Sequence, residues 1–129
     1  MKKIAAVTMA LLLIAGMAYA KNYEVKKKAG SYDVVAVIDK NPPVQGENNL
    51  TISIKDASGN AVTDAAVKVN YTMPAMPGMP AMNYKTDARL DGSEYKATMN
   101  LSMSGAWNIA VKIAKGGKIS MMKFNVDAQ

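Results

Sequence analysis

Residues 95–113 read YKATMNLSMSGAWNIAVKI. Tyr95, Ala97, Met99 and Leu101 alternate with Lys96, Thr98 and Asn100. After a short glycine-containing segment the pattern resumes, with Trp107, Ile109, Val111 and Ile113 alternating with Asn108, Ala110 and Lys112. A period of two places one side of each run in a core and the other in water, which is the signature of antiparallel strands with one buried face. Met99 falls in the apolar phase and is read as core. Met103 follows in the same phase near the strand end, where a core role and a role in a site are equally open.

The same alternation extends outward. Leu50, Ile52 and Ile54 alternate with Thr51, Ser53 and Lys55, and Val67, Val69 and Tyr71 with Lys68, Asn70 and Thr72. Ser31–Asp39 (SYDVVAVID) is a further β-rich run. Asp56–Asn60 (DASGN), Asp91-Gly92 and Lys115–Lys118 (KGGK) are turn signals between strands. Asn41–Asn49 (NPPVQGENN) reads as a longer polar loop, because its prolines cannot donate to a ladder. In Lys118–Val126, Ile119 and Met121 share one phase while Met122, Phe124 and Val126 share the other, which predicts either a bulge or one outward set. No window after the first twenty residues has a 3.6-residue apolar period. About seven short antiparallel strands at this spacing predict an all-β, immunoglobulin-like β-sandwich, with a small closed barrel as the alternative.

The ends and the composition restrict function. Lys2-Lys3, the apolar run Ile4–Met17 and Ala18-Tyr19-Ala20 fit a secretory signal peptide over residues 1–20, with a mature chain from Lys21. The apolar run is short for a membrane span, and Thr8 and Gly16 interrupt it. No cysteine lies beside the cleavage site to carry a lipid anchor. Residues 21–129 make one domain, without a membrane span, and the expected location is the periplasm. Loss of Lys2 and Lys3 lowers the net charge from +6 to +4. Lys26–Lys28 is the one basic run and reads as a solvated arm near the new N-terminus. Nucleic acid is not an expected partner, since that calls for a denser basic face with stacking aromatics. The chain has no cysteine and no histidine, so it offers no thiolate, no imidazole base and no imidazole ligand.

One stretch stands apart. Tyr71–Tyr84 reads YTMPAMPGMPAMNY, with Met73, Met76, Met79 and Met82 at every third position and Pro74, Pro77 and Pro80 in the same step. Proline and the residue before it favour extended polyproline II, with three residues per turn, which aligns all four methionines on one edge. Pro77-Gly78 fits the centre of a type II turn, with Met76 and Met79 as its outer residues. Thioether sulfur is soft, uncharged and needs no deprotonation, so clustered methionines select Cu(I), and by the same softness Ag(I). Asp87, Asp91 and Glu94 follow the segment and read as solvated turn or strand residues. Methionine is also adaptable filler, and Met-rich surfaces bind proteins without metal.

The sequence resembles the FixH/YtkA-like family of exported or membrane-tethered bacterial β-sandwich domains over roughly residues 30–127. The resemblance is carried by Pro42-Pro43 with Gly46 and Asn48-Asn49, by LTISIKDASGNAVTDAAVKVNYTMPAMPGMPAM (residues 50–82) and by DGSEYKATMNLSMSGAWNIAVKI (residues 91–113). Asp56–Asp64 resembles the hairpin before the family's Met-Pro segment, and Met103–Trp107 (MSGAW) its lead into a late strand. Such domains occur alone and beside or within copper and silver efflux adaptors, and FixH is associated with assembly of copper-containing oxidases. The resemblance therefore implies a periplasmic sandwich connected with copper, and carries over Met73, Met76, Met79 and Met82 by position. It brings no catalytic activity. The cleavable-looking leader, where FixH proper retains a membrane helix, fits a soluble carrier better than a direct role in oxidase assembly.

Two functions of different class follow. One is a periplasmic Cu(I)/Ag(I)-binding carrier, buffer or accessory in copper homeostasis or efflux. Its ligands would be Met73, Met76, Met79 and Met82, with Met103 as an extra, and its partner an efflux or oxidase-assembly protein. The other is a metal-free interaction module whose Met-Pro loop enters an apolar groove on a partner. An enzyme is not expected, since no nucleophile elbow or phosphate-cradling glycine loop is present.

Overall fold

A computed structural model describes residues 23–129. The signal peptide expected over residues 1–20 lies outside the described residues. The chain forms β1 (Tyr23–Ala29), β2 (Tyr32–Ile38), β3 (Gly46–Lys55), β4 (Ala66–Met73), β5 (Met82–Asp87), β6 (Arg89–Asp91), β7 (Glu94–Leu101), β8 (Gly105–Lys115) and β9 (Lys118–Ala128). They pair antiparallel in two sheets, the first in the order β1-β2-β3-β7-β6 and the second in the order β5-β4-β8-β9. This is an all-β sandwich, and the two open sheets exclude the closed barrel.

The alternating runs supply the facing surfaces. Ile52, Ile54, Tyr95, Met99 and Leu101 of the first sheet meet Val69, Ile109, Val111, Ile113 and Met122 of the second, all buried. Burying each large apolar side chain contributes roughly 1.5–3 kcal/mol. Tyr95 fills the core with its ring and uses its hydroxyl at the edge: it donates to the Val62 carbonyl at 2.9 Å and accepts from the Ala65 N–H at 3.1 Å. That fixes the connection entering β4.

The structure corrects several expectations. There are nine strands among the described residues, and β1, β5 and β6 are the additions. Most of β5 and all of β6 are exposed or half-exposed, so they carry no apolar period to read. Lys26–Lys28 is not an arm. It is part of β1, an edge strand paired along its length with β2. Besides Ala29, which is buried in the core, two polar contacts tie it to the other sheet: Lys27 Nζ donates to the Lys123 carbonyl and Tyr23 Oη to the Asn125 carbonyl, each at 3.0 Å. These side chains cover the backbone edge of β9, where unpaired carbonyls would otherwise be open to another strand. The loop expected over Asn41–Asn49 ends earlier, since β3 begins at Gly46. Asn48 is buried there, accepting from the Val44 N–H at 2.9 Å and donating to the carbonyls of Val44 and Gly46. In β9 there is no bulge. Its ladder with β8 is unbroken, Met122, Phe124 and Val126 face the core, and Ile119 and Met121 face out.

Candidate metal centre

The Met-Pro stretch is a hairpin extension of β4 and β5, and less of it is loop than its prolines suggest. Met73 closes β4, Met82 opens β5, and the two are ladder partners. Met76 and Met79 form a further antiparallel bridge in the same register. Between these pairs Pro74 falls opposite Ala81 and Ala75 opposite Pro80, and the missing proline N–H groups interrupt the ladder. The tip is Pro77-Gly78. The Met79 N–H donates to the Met76 carbonyl at 2.8 Å and the Met76 N–H to the Met79 carbonyl at 3.0 Å. Gly78 has φ +80°, which with proline before it gives the expected type II turn. That turn does not follow the right-handed twist of flanking strands, so the tip is set apart from the sheet below it.

The four methionines therefore come as two pairs. Neighbours on opposite strands share a face, whereas three residues along a pleated strand reverse it. Burial follows the pairs. Met73 is 2 % exposed and belongs to the core, while Met76 at the tip is 42 % exposed and Met79 half-buried. Met82 is half-buried against the core. A single straight edge of four sulfurs, as polyproline II alone would give, is replaced by an inner pair and an outer pair.

The inner pair leans on the segment that carries Met103. Met82 Sδ lies 3.5 Å from Ser102 Oγ and 3.7 Å from Tyr84 Oη, and those hydroxyls are 3.3 Å apart. Each hydroxyl has one proton, so the three contacts share two hydrogen bonds. Met73 Cε lies 3.3 Å from where a Cβ on Gly105 would stand. Met103 itself is half-buried against the core, and its carbonyl accepts from Trp107 Nε1 at 2.9 Å. Trp107 is fully buried and joins Tyr71 and Tyr84 in a cluster with ring centroids 5.4–6.1 Å apart. This aromatic floor holds both the base of the hairpin and the bend bearing Met103.

Among the described residues no group of three or more His, Cys, Asp or Glu is placed to hold a metal ion. Asp91 forms a surface ion pair with Lys96 at 3.1 Å and Glu94 Oε2 accepts from Ser53 Oγ at 3.1 Å, both away from the hairpin tip. The soft atoms this hairpin carries are thioether sulfurs, in two backbone-paired sets. Sequence reading missed Tyr84 and Ser102 as the groups that hold the Met82 sulfur. Tyr84 ends the Met-Pro stretch, but nothing in the pattern marks Ser102.

The YtkA-like family profile matches residues 18–112, which include β1 to β7 and most of β8. The chain belongs to the YtkA-like family. The match takes in the whole Met-Pro hairpin and the Met103–Trp107 bend of this YtkA-like domain. No curated protein matches the chain.

Proposed function

We propose that the protein is exported to the periplasm and binds a soft monovalent metal, Cu(I) or Ag(I), as cargo, acting as a carrier, buffer or accessory in copper homeostasis or efflux. The observation that carries this reading is the pairing of four methionines in one hairpin, Met73 with Met82 and Met76 with Met79, beside the bend bearing Met103. Thioethers select soft ions over zinc or calcium. Met76 and Met79 are the accessible donors at the tip, Met73 and Met82 form the inner pair on the other face of the hairpin, and Met103 is half-buried near its base. A donor set on a projecting hairpin suits exchange with a partner such as an efflux or oxidase-assembly protein, because the ligands can be approached without opening the sandwich.

The test is a chain with Met73, Met76, Met79 and Met82 all changed to leucine. Leucine keeps most of the volume and apolarity, so stability at each buried position changes by less than about 1.5 kcal/mol. Cu(I) affinity, read anaerobically against a chromophoric chelator, collapses. Because thioethers release no proton on binding, the parent's affinity stays nearly flat across neutral pH. A tetra-leucine chain that holds Cu(I) as tightly as the parent identifies the hairpin as a packing or recognition device.

A further inference from the structure

The outward face of the second sheet carries a charge pattern that the metal reading does not use. Its register sets Lys85, Asn70, Ala110 and Lys123 in one row across β5, β4, β8 and β9. The next row is Asp87, Lys68, Lys112 and Met121. Lys68 and Lys112 are thus direct cross-strand partners of like charge, an arrangement that destabilises a sheet. Among the described residues, none of Lys68, Lys85, Lys112 and Lys123 takes part in a side-chain ion pair, whereas Lys26, Lys28, Lys96 and Lys115 do. The small side chain of Ala110 leaves a dip of about 370 Å³ lined by the amides of Asn70, Asn108 and Asn125 and by Lys112 and Lys123.

The apolar part of the same face is just as unusual. Ile119 is 70 % exposed and Met121 40 % exposed, both outward on β9 beside Lys112 and Lys123. Large apolar side chains standing among unpaired lysines on one face match what a peripheral protein presents to an anionic bilayer: a shallow apolar insertion backed by basic residues. Repulsion between lysine faces disfavours a second copy of this chain there. A soluble acidic partner would account for the lysines but leaves Ile119 unexplained.

We propose that the outward face of the β5-β4-β8-β9 sheet docks on an anionic phospholipid membrane, with Lys68, Lys85, Lys112 and Lys123 meeting headgroup phosphates and Ile119 and Met121 entering the interface. The nine strands of the described residues lie within 23–129, and the chain from Lys21, the mature form that export would leave, is the species to test. It is titrated with phosphatidylcholine vesicles, with and without phosphatidylglycerol. It binds only the anionic vesicles, and high salt releases it as the Debye length shrinks. Changing Lys68, Lys112 and Lys123 to glutamine weakens binding roughly fivefold per lysine. Ile119→Ser weakens it further, and Ile119→Trp gives emission that shifts to the blue on vesicle addition. Lys26→Gln with Lys55→Gln, on the first sheet's outer face, leaves binding unchanged. The proposal is overturned by equal binding to neutral vesicles or by no vesicle binding at all. It is equally overturned if the first-sheet pair loses as much as the second-sheet lysines, or if soluble polyglutamate is bound while vesicles are ignored, the last result marking an acidic protein as the partner.

Discussion

Met76 and Met79 exchange both of their backbone hydrogen bonds across Pro77-Gly78, at 2.8 and 3.0 Å. The turn that holds them together depends on one residue. Gly78 sits at φ +80° with open space where a Cβ would project. An L-residue there meets no neighbour, so its cost is conformational alone, on the order of 1–2 kcal/mol. Gly78→Ala is therefore expected to loosen the tip and lower Ag(I) affinity by up to about tenfold, while the thermal unfolding of the sandwich hardly moves. D-Alanine, introduced by ligation, adopts positive φ readily and restores affinity. Unchanged Ag(I) binding in Gly78→Ala shows that the paired tip is not needed.

The inner and outer methionines separate under truncation. Met73 is core, and Met73→Ala should destabilise the fold by about 2–5 kcal/mol in urea unfolding. Met76→Ala and Met79→Ala lie at the exposed tip and should each stay within about 0.5 kcal/mol of the parent. Metal affinity responds in the opposite order, with the tip changes the more damaging. Equal losses of stability from both classes contradict the burial difference.

The sandwich was legible because its core strands alternate without interruption: Tyr95–Leu101 and Trp107–Ile113 have the inward faces that their sequence gives them. The edges were not. β1 carries Lys26, Lys27 and Lys28 in succession, and a run of lysines reads as solvated arm; what makes it a strand is pairing with β2, information that lies in the partner. The Pro77-Gly78 turn and its flanking methionines were legible from local rules, since proline and glycine fix their own backbone. How four methionines divide was not. A three-residue repeat implies one edge in polyproline II and two faces in a ladder, and the choice is made by the register with β5 and by burial of Met73 under Gly105. Which groups support the Met82 sulfur was equally hidden, because Ser102 reaches it from a strand end twenty residues away.

Gly30 gives a clean test of how the edge strand is seated. It has φ +60°, and an added Cβ would stand 2.9 Å from Ser120 Oγ on β9. Gly30→Ala therefore carries both backbone strain and a clash. Ser120→Gly removes the oxygen and should recover the clash portion, leaving about 1–2 kcal/mol of backbone cost. A double-mutant cycle in denaturant should show this favourable coupling. Strict additivity shows that Ser120 Oγ rotates away from the added methyl at little cost.

Asp64 and Lys115 are joined at 3.0 Å across the surface. The hydrogen bond from Lys115 is the main cause holding the Asp64 carboxyl below the ordinary aspartate range, and the same bond raises Lys115. The sign follows from both shifts. Asp64 adds stability at pH above its unfolded value, and this fades as pH falls through the lowered folded value. Lys115 adds stability below its unfolded value, lost as pH rises through the raised one. Across neutral pH the contribution is constant. Lys115→Gln should raise the Asp64 titration midpoint in carboxyl-carbon NMR; a midpoint that stays put removes the pair as the cause.

Trp107 links the core to the candidate site. Its ring is fully buried, and its indole N–H donates to the Met103 carbonyl at 2.9 Å. The parent's emission should accordingly be blue-shifted, moving to the red on unfolding, and Trp107 is the chain's one tryptophan. Trp107→Phe keeps an aromatic ring but leaves the Met103 carbonyl without its indole donor, costing about 1–3 kcal/mol. Trp107→Ala opens a cavity and costs about 3–5 kcal/mol. The informative comparison is with Met103→Leu, which keeps the fold's volume and removes the sulfur. If Met103 is a ligand, Trp107→Phe and Met103→Leu both weaken Ag(I) binding, but only Trp107→Phe lowers the urea midpoint. A Met103→Leu chain with full affinity assigns Met103 to packing and leaves the site to the hairpin alone.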